Sequence, residues 1–401
     1  MINQDETTYD PSLGAGADMG RYPINGTLTI RQVVTGRDRG RFARVPLPIY
    51  ANDPQWVTPL FMEVKAFLNP RKNPFYQHGQ GAAFIAYRGE TPVGRILVGD
   101  DPIYNELHGT NIGTFGMFES VHDEEVAKKL LDTAADWVKA QGRTSIMGPI
   151  DFSTNYPVGL LVDGFGTPPR VMMNHHRPYY AELLEAWGLR KTKDLYCWWF
   201  TDPKDMVTQW AKRAERIAQR SGVVVRPFNR RDFKNDVERC RTVYNSARTA
   251  NWGFSRLTEA EFDHMAKQLS RLAVPELTLL AEIDGKPAGF SITIPDVNEA
   301  IKPLCGRLTT FGLPIGLIRF ICRMPRAKTA RMLVLDLLEE YRRRGISELL
   351  ILKTLDYGKN VIGFTGAELG WTLEDNDLVN RIIERVGAER YKTYRIYEKS
   401  L

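Results

Sequence analysis

The sequence predicts an α/β chain, a mixed-sheet α+β architecture in two tandem copies, on three observations. Strand, turn and helix signals recur in the same order at offsets of 195, 195 and 199 residues. The 401 residues exceed what one hydrophobic core ordinarily serves, and halves of about two hundred residues fall inside the usual domain range. An apolar run from Met332 to Leu335 leads through Arg342-Arg343-Arg344-Gly345-Ile346-Ser347 into a helical pattern from Glu348 to Lys359, the order of an α/β crossover.

Along the chain, residues 1–26 contain Gly and Asp, lack an apolar stretch of signal-peptide type, and read as a disordered arm of a cytoplasmic protein. The first domain is expected over 27–201. Leu28 to Arg31 opens a strand-then-helix pattern ending near Tyr50, and Val223 to Arg226 opens its echo ending near Tyr244. The stretch Ala83 to Gly94, two strands about a glycine turn, returns as Leu279 to Gly289. Gly188 to Lys193, a helix stop and a final strand, returns as Gly387 to Lys392. A period this long fits duplication of a domain, since solenoid repeats are far shorter. Residues 202–221 are charged and helix-prone and form the expected connector, leaving 222–401 as the second domain.

Composition narrows the classes. Four cysteines (Cys197, Cys240, Cys305, Cys322) make no C-x-x-C pair and suit a reducing compartment with neither zinc nor disulfides. No run of eighteen apolar residues exists to span a bilayer. The net charge of +6 suits a phosphate-bearing ligand or anionic lipid without demanding nucleic acid. From Ala300 to Leu335 there is no Asp or Glu, while Lys302, Arg307, Arg319, Arg323, Arg326 and Lys328 punctuate Leu313, Ile315, Leu317, Ile318, Phe320 and Ile321. Two readings stay open: a segment lying in a membrane interface, with Leu313, Leu317 and Phe320 lining a lipid channel, or a core-covering helix pair with snorkelling basic ends.

At Arg342 to Ser347 the first N–H groups of a helix lack intrahelical partners and the peptide dipoles place positive charge, so an anion can be held. Three arginines add charge, and Gly345 lets the backbone approach closely. The spacing resembles the Arg/Gln-x-x-Gly-x-Gly/Ala motif of GNAT-type acyltransferases, which cradles the pyrophosphate of coenzyme A; Ser347 stands where that motif has Gly or Ala. The resemblance implies two tandem GNAT-like domains. It also implies acyl-CoA as co-substrate, with Leu337, Arg342, Arg343, Arg344, Gly345, Ile346, Ser347 and Asn376 at its site. Gly370 to Asn376, a helix to Val386, and the strand Tyr391 to Tyr397 look like the end of such a domain, with splayed strands before Asn376 admitting the pantetheine arm. The first half has Glu119, Asp123, Glu124 and Glu125 where the basic turn would stand, so acyl-CoA is expected in the second half alone. The loops Gly148 to Asn155 and Gly159 to Phe165, with Asn174 to Tyr180, resemble the branch that includes GNAT-type bacterial ceramide synthases. That branch implies N-acylation of a sphingoid base with a fatty acyl group, expected at the cytoplasmic face of a membrane. His175 and His176 are adjacent and have no acidic partner at a readable spacing, so they and Asn155 read as polar residues of a turn or substrate cleft and not as metal ligands.

An amine must lose a proton before attacking a thioester, the tetrahedral oxyanion needs a donor, and the leaving thiolate benefits from an acid. Asp336, interrupting an apolar strand, is the first expectation for the base; Glu374 is the second, with helix capping as the alternative for it and Asp375. Many GNAT domains carry a tyrosine seven residues after the Asn376 position, where this chain has Ile383, so either Tyr394 or Tyr391 substitutes or the thiolate leaves unassisted. Three further readings remain: an N-acetyltransferase for a soluble amine or a protein, an aminoacyl-tRNA-dependent peptidyltransferase, which the basic turn argues against, and a ligand-sensing pseudoenzyme.

Overall fold

A computed structural model describes residues 26–202, 206–247, 252–310 and 312–401, so that most of the expected N-terminal arm lies outside the described residues. The strands are β1 (Leu28–Gln32), β2 (Gln80–Arg88), β3 (Thr91–Asp100), β4 (Ile112–Ser120), β5 (Ser145–Gly148), β6 (Leu160–Asp163), β7 (Arg190–Phe200), β8 (Val224–Pro227), β9 (Thr278–Ile283), β10 (Lys286–Pro295), β11 (Thr329–Leu337), β12 (Gly366–Leu373) and β13 (Glu389–Ser400). The longer helices are α1 (Glu124–Ala140), α2 (Met206–Ser221), α3 (Phe233–Ala247), α4 (Glu259–Leu269), α5 (Ile315–Arg323), α6 (Ile346–Tyr357) and α7 (Asp377–Arg385).

Local chemistry sets the hairpins and crossovers. The β9–β10 turn takes Asp284 (φ 51°) and Gly285 (φ 72°), two positive-φ residues whose turn matches the right-handed twist of the strands in a two-residue hairpin. In each half, one parallel pair (β4 with β5, β11 with β12) is bridged by a crossover helix, α1 or α6. In α1, Val126, Ala127, Leu130, Leu131, Ala134 and Val138 fall on one face and are buried, so the helix is held by its apolar stripe against the sheet.

The halves share one sheet. Its order is β1-β2-β3-β4-β5-β13-β7-β12-β11-β10-β9-β8, with β6 against β13. Each half therefore gives its last strand to the other: β13 pairs with β5 of the first half, and β7 pairs with β12 of the second. The strands and crossover helix of the repeat recur in the same order in both halves, with β6 and α5 lacking counterparts, and the break between 201 and 222 divides the chain without dividing the sheet. The connector contains α2, packed along α6. The basic apolar segment lies between β10 and β11 and contains α5, whereas the matching β3–β4 connection holds one short helix, Pro102–His108.

Candidate active site

In the second half, β11 and β12 pair from Thr329 opposite Gly366 to Met332 opposite Leu369 and no further. At that point β11 bulges, its register with β10 stepping from Met332 opposite Thr293 to Val334 opposite Ile292, so that Leu333 is the extra residue. Main-chain groups on the β12 side of β11 lose their ladder partners beyond the bulge, and an N–H there is the strand donor an oxyanion requires.

On one face of this split lies the basic turn. Beyond β11 a 3-10 turn (Glu339–Tyr341) leads to Arg343 at φ 64° and Gly345 at φ 80°, the residue that caps α6. No side chain caps α6, Arg342, Arg343 and Arg344 are exposed, and the Arg344 guanidinium lies 5.3 Å from the Tyr341 ring centre. Left-handed backbone, an uncapped helix start and exposed guanidinium groups fit a pyrophosphate. Ile346 is buried and anchors the helix, while Ser347 is half-buried at its second position. The connector helix α2 lies against this turn: Arg213 pairs with Glu348 at 2.7 Å, and a Cβ on Gly345 would fall 3.0 Å from Ile217 Cγ2.

The first half closes the same two places with its own side chains. Asp123 caps α1, accepting from the N–H groups of Glu125 (2.9 Å) and Val126 (3.3 Å), where α6 has no side-chain cap. Strands β4 and β5 part after Thr114 and Met147, and β4 bulges between Gly116 and Glu119. The chain leaving β5 folds back into the gap, and Asp151 Oδ1 accepts from the Met117 N–H at 2.9 Å. Burial pushes the Asp151 carboxyl up to about 7. Phe152 is fully buried there, and a Cβ on Gly116 would sit 2.3 Å from Asp151 Oδ1.

On the opposite face of the split, Asp336 is 6% exposed, opposite Phe290, and shares a strand face with Val334, which packs beside Tyr244 and Phe254. Trp371 and Leu373, on β12 past the split, gather with Trp252, Phe165 and Tyr391. Leu333 packs against a cluster that includes Met172, Leu308, Phe320 and Met324.

Other expected residues are committed elsewhere. Glu374 receives Lys191 Nζ at 2.7 Å and the Asp194 N–H at 3.0 Å, and Lys193 holds Asp375 at 2.8 Å; these carboxylates join β12 to β7 and do not cap α7. The cap is Asn376, whose side chain accepts from the Val379 N–H. Tyr394 is fully buried, its hydroxyl donating to the Asn174 carbonyl at 2.9 Å, so burial rather than an opening onto the split governs it. Tyr391 is half-buried and donates to Glu368. His175 has an acidic partner after all, Asp53, with Nε2 to Oδ2 at 3.0 Å. His176 accepts from the Leu161 N–H at 3.0 Å, and burial lowers it to about 3, so its ring is neutral and structural. Asn155 spends both ends of its amide on Tyr244 and Ser255. Leu313, Leu317 and Phe320 do not line one channel: the first two are 59% and 41% exposed, and only Phe320 turns inward. Two of the four cysteines, Cys305 and Cys322, are exposed.

Sequence reasoning missed a buried network beneath the split. Arg331 Nε meets Glu368 Oε1 at 2.6 Å, and the fully buried Lys392 donates to the carbonyls of Gly164 (2.7 Å) and Thr167 (2.8 Å), which fixes the first half's loop over β13. Burial lowers Lys392 to about 8. A charged residue in each of three strands was the available signal. Among the described residues no group of three or more His, Cys, Asp or Glu gathers as metal ligands, and no helix is long and apolar enough to cross a membrane.

Among solved structures the fold is similar to the tandem GNAT protein from the clavulanic acid biosynthesis pathway (TM-score 0.55, 13% identity, 93% of this chain and 98% of that one). It is also similar to a GCN5-related N-acetyltransferase from Sphaerobacter thermophilus (TM-score 0.51, 12% identity, 93% and 95%). No protein-family model matches the chain. Protein YghO of Escherichia coli (strain K12) is 34% identical over 375 residues, 93% of this chain and 95% of that protein. The bacterial ceramide synthase of Caulobacter vibrioides (strain NA1000 / CB15N) is 35% identical over 381 residues, 94% of this chain and 98% of that protein. With the tandem fold and nearly full-length identity in hand, the chain belongs to the tandem GNAT N-acyltransferase family that includes the bacterial ceramide synthase.

Proposed function

We propose that this N-acyltransferase moves a long acyl group from its coenzyme A thioester to the primary amine of a lipid of sphingoid-base type, working against an anionic membrane surface. The observation that carries the reading is the bulge at Leu333, which stands between a phosphate-binding turn on one face and an apolar cluster on the other. Arg342, Arg344 and the backbone at Gly345 hold the pyrophosphate, and Arg343 adds field. The β11 main chain donates to the developing oxyanion. Asp336 takes the proton that the amine must lose, directly or through water. The apolar cluster against Leu333 receives the acyl chain. Each CH₂ buried there contributes about 0.8 kcal/mol, so a fatty donor outcompetes an acetyl donor.

Helix α5 supports the membrane side. Ile318 and Ile321 are 57% exposed, Leu313 and Leu317 stand out beside them, and Arg319, Arg323 and Arg326 flank the patch. Apolar insertion with basic headgroup contacts is how a monotopic helix binds. The name of the Caulobacter relative supports a sphingoid acceptor. The test pairs acetyl-CoA and palmitoyl-CoA with sphinganine and with a short water-soluble amine, alongside co-sedimentation on vesicles containing phosphatidylserine. Turnover is expected to favour palmitoyl-CoA and sphinganine, and Ile318→Ser with Ile321→Ser to weaken sedimentation. A better rate with acetyl-CoA and the soluble amine, with sedimentation unchanged, would instead favour a soluble N-acetyltransferase.

A further inference from the structure

The chain leaving β5 does more than fill the first half's dead gap; it reaches the second half. Thr154 donates its hydroxyl to the Gly253 carbonyl. Asn155 donates Nδ2 to the Ser255 carbonyl at 3.0 Å, and its Oδ1 accepts from the Tyr244 hydroxyl of α3. Two more first-half groups hold the stretch 253–255: the Ser255 hydroxyl donates to Asp101 at 2.7 Å, and the His108 ring meets the Phe254 carbonyl at 2.6 Å. Every one of these pins comes from the half with a sealed gap, and what they hold is the stretch 253–255 before α4 together with Tyr244 near the end of α3.

The described part of the connection from α3 to α4, residues 252–258, lies by the open split. Phe254 packs in the cluster containing Val334 of β11, two residues from Asp336, whereas Trp252 packs in the cluster containing Trp371 and Leu373 of β12. The pinned stretch thus shares one packing cluster with β11 and another with β12 where the two strands part, on the face opposite the phosphate-binding turn. A wall in that place meets the amine and not the coenzyme. Loops earn such precision only by hydrogen bonding, because an unpinned glycine-containing stretch samples many backbone states. Gly253 itself sits at φ 73°, and a Cβ there would lie 3.3 Å from Thr154.

We infer that Asn155 is a positioning residue for the acceptor amine, through which the inactive half shapes the acceptor wall of the active half. The inference rests on the acyl transfer proposed above. It makes the first half an acceptor-side mould, and it reassigns Asn155 from substrate contact to scaffold.

The experiment compares the full chain with Asn155→Ala, and with Asn155→Asp and Tyr244→Phe, which each remove one of the two hydrogen bonds. Steady-state kinetics use palmitoyl-CoA and sphinganine, and hydrogen exchange of the peptides covering 252–258 and 342–350 is followed by mass spectrometry. Asn155→Ala is expected to raise KM for sphinganine about 10- to 100-fold, leaving the palmitoyl-CoA dissociation constant and the exchange of 342–350 unchanged while 252–258 exchanges faster. The two half-variants should fall between it and the parent. Unchanged exchange at 252–258 would overturn the inference, as would equal losses in amine and palmitoyl-CoA parameters with a lowered Tm. A parent that neither binds palmitoyl-CoA nor acylates sphinganine, with the exchange pattern as expected, would refute the acyl-transfer reading and not the pinning.

Discussion

Asp336 and Glu119 hold matching places on β11 and β4, opposite Phe290 and Arg95. Their surroundings differ in a way that separates the halves. Glu119 accepts from the hydroxyls of Tyr50 and Tyr180, each at 2.8 Å, and from Arg95 at 3.3 Å, and its burial raises its proton affinity. Three side-chain donors commit Glu119 to the fold of the first half. For Asp336 the expected outcome of Asp336→Asn is a fall in turnover of about 10²- to 10⁴-fold, with acyl-CoA binding by calorimetry unchanged; intact turnover would exclude it as the base. Asp151 gives a second residue-scale prediction. Its native pKa, about 7, lies above its ordinary value of 3.8, so the native state binds the extra proton. Its contribution to stability is full below the ordinary value and is lost as pH rises through about 7. Asp151→Asn, which keeps the acceptor for Met117 N–H, should flatten the decline in urea stability between pH 4 and 7, gaining on the order of 1–4 kcal/mol above that window. A parallel decline in both proteins would count against the buried carboxyl. At this scale the sequence was legible where one residue broke a pattern, as Asp336 does in an apolar strand. It was illegible where partners are distant: Asp53 and His175 are 122 residues apart, and nothing local announces the pair.

At the scale of elements, the basic turn and the connector helix act on each other. The strand, turn and α6 read directly from the apolar run, the glycine and the arginines, because each is a local signal. That α2 would lie against Gly345 was not readable, since it depends on where β7 ends and β8 begins in the shared sheet. Replacing Gly345 therefore combines two effects, strain at φ 80° and a clash with Ile217. Arg342→Ala and Arg344→Ala are cleaner probes of the phosphate site. Each should weaken coenzyme A binding by roughly 1.5–3 kcal/mol, about 10- to 100-fold, in a salt-dependent manner. For Gly345→Ala, adding Ile217→Ala should relieve the clash but not the backbone strain, recovering part of the thermal stability without restoring coenzyme A affinity. Recovery of affinity in the double variant, measured by titration calorimetry, would show that the helix clash and not the phosphate contact was at fault.

For the whole molecule, duplication was legible and the strand exchange was not. Gly188 and Gly387 both mark a helix stop before a last strand, and a repeat read from sequence assigns each strand to its own half. Pairing partners are set by tertiary geometry: β13 meets Gly148 through Tyr397 and meets Trp199 through Glu389. Ion pairs across the exchange, Arg395 with Asp194 at 2.8 Å and Lys191 with Glu374 at 2.7 Å, reinforce it. With no sheet boundary between them, the halves should unfold together. A single calorimetric transition with agreeing calorimetric and van't Hoff enthalpies is the expected result, and two resolved transitions would argue for independent halves.

The exchanged strand also has a consequence on the ribosome. Residues 145–148 of β5 leave the ribosome before the neighbour that covers their edge, residues 397–400, and the whole second half lies between the two. While the second half is being made, the nascent first half must carry an open strand edge, the kind of surface on which chains pair wrongly. The folded loop beyond β5, with Asp151 and Phe152 packed into the adjoining gap, would then give that unfinished edge something of its own to rest on while the rest of the chain emerges.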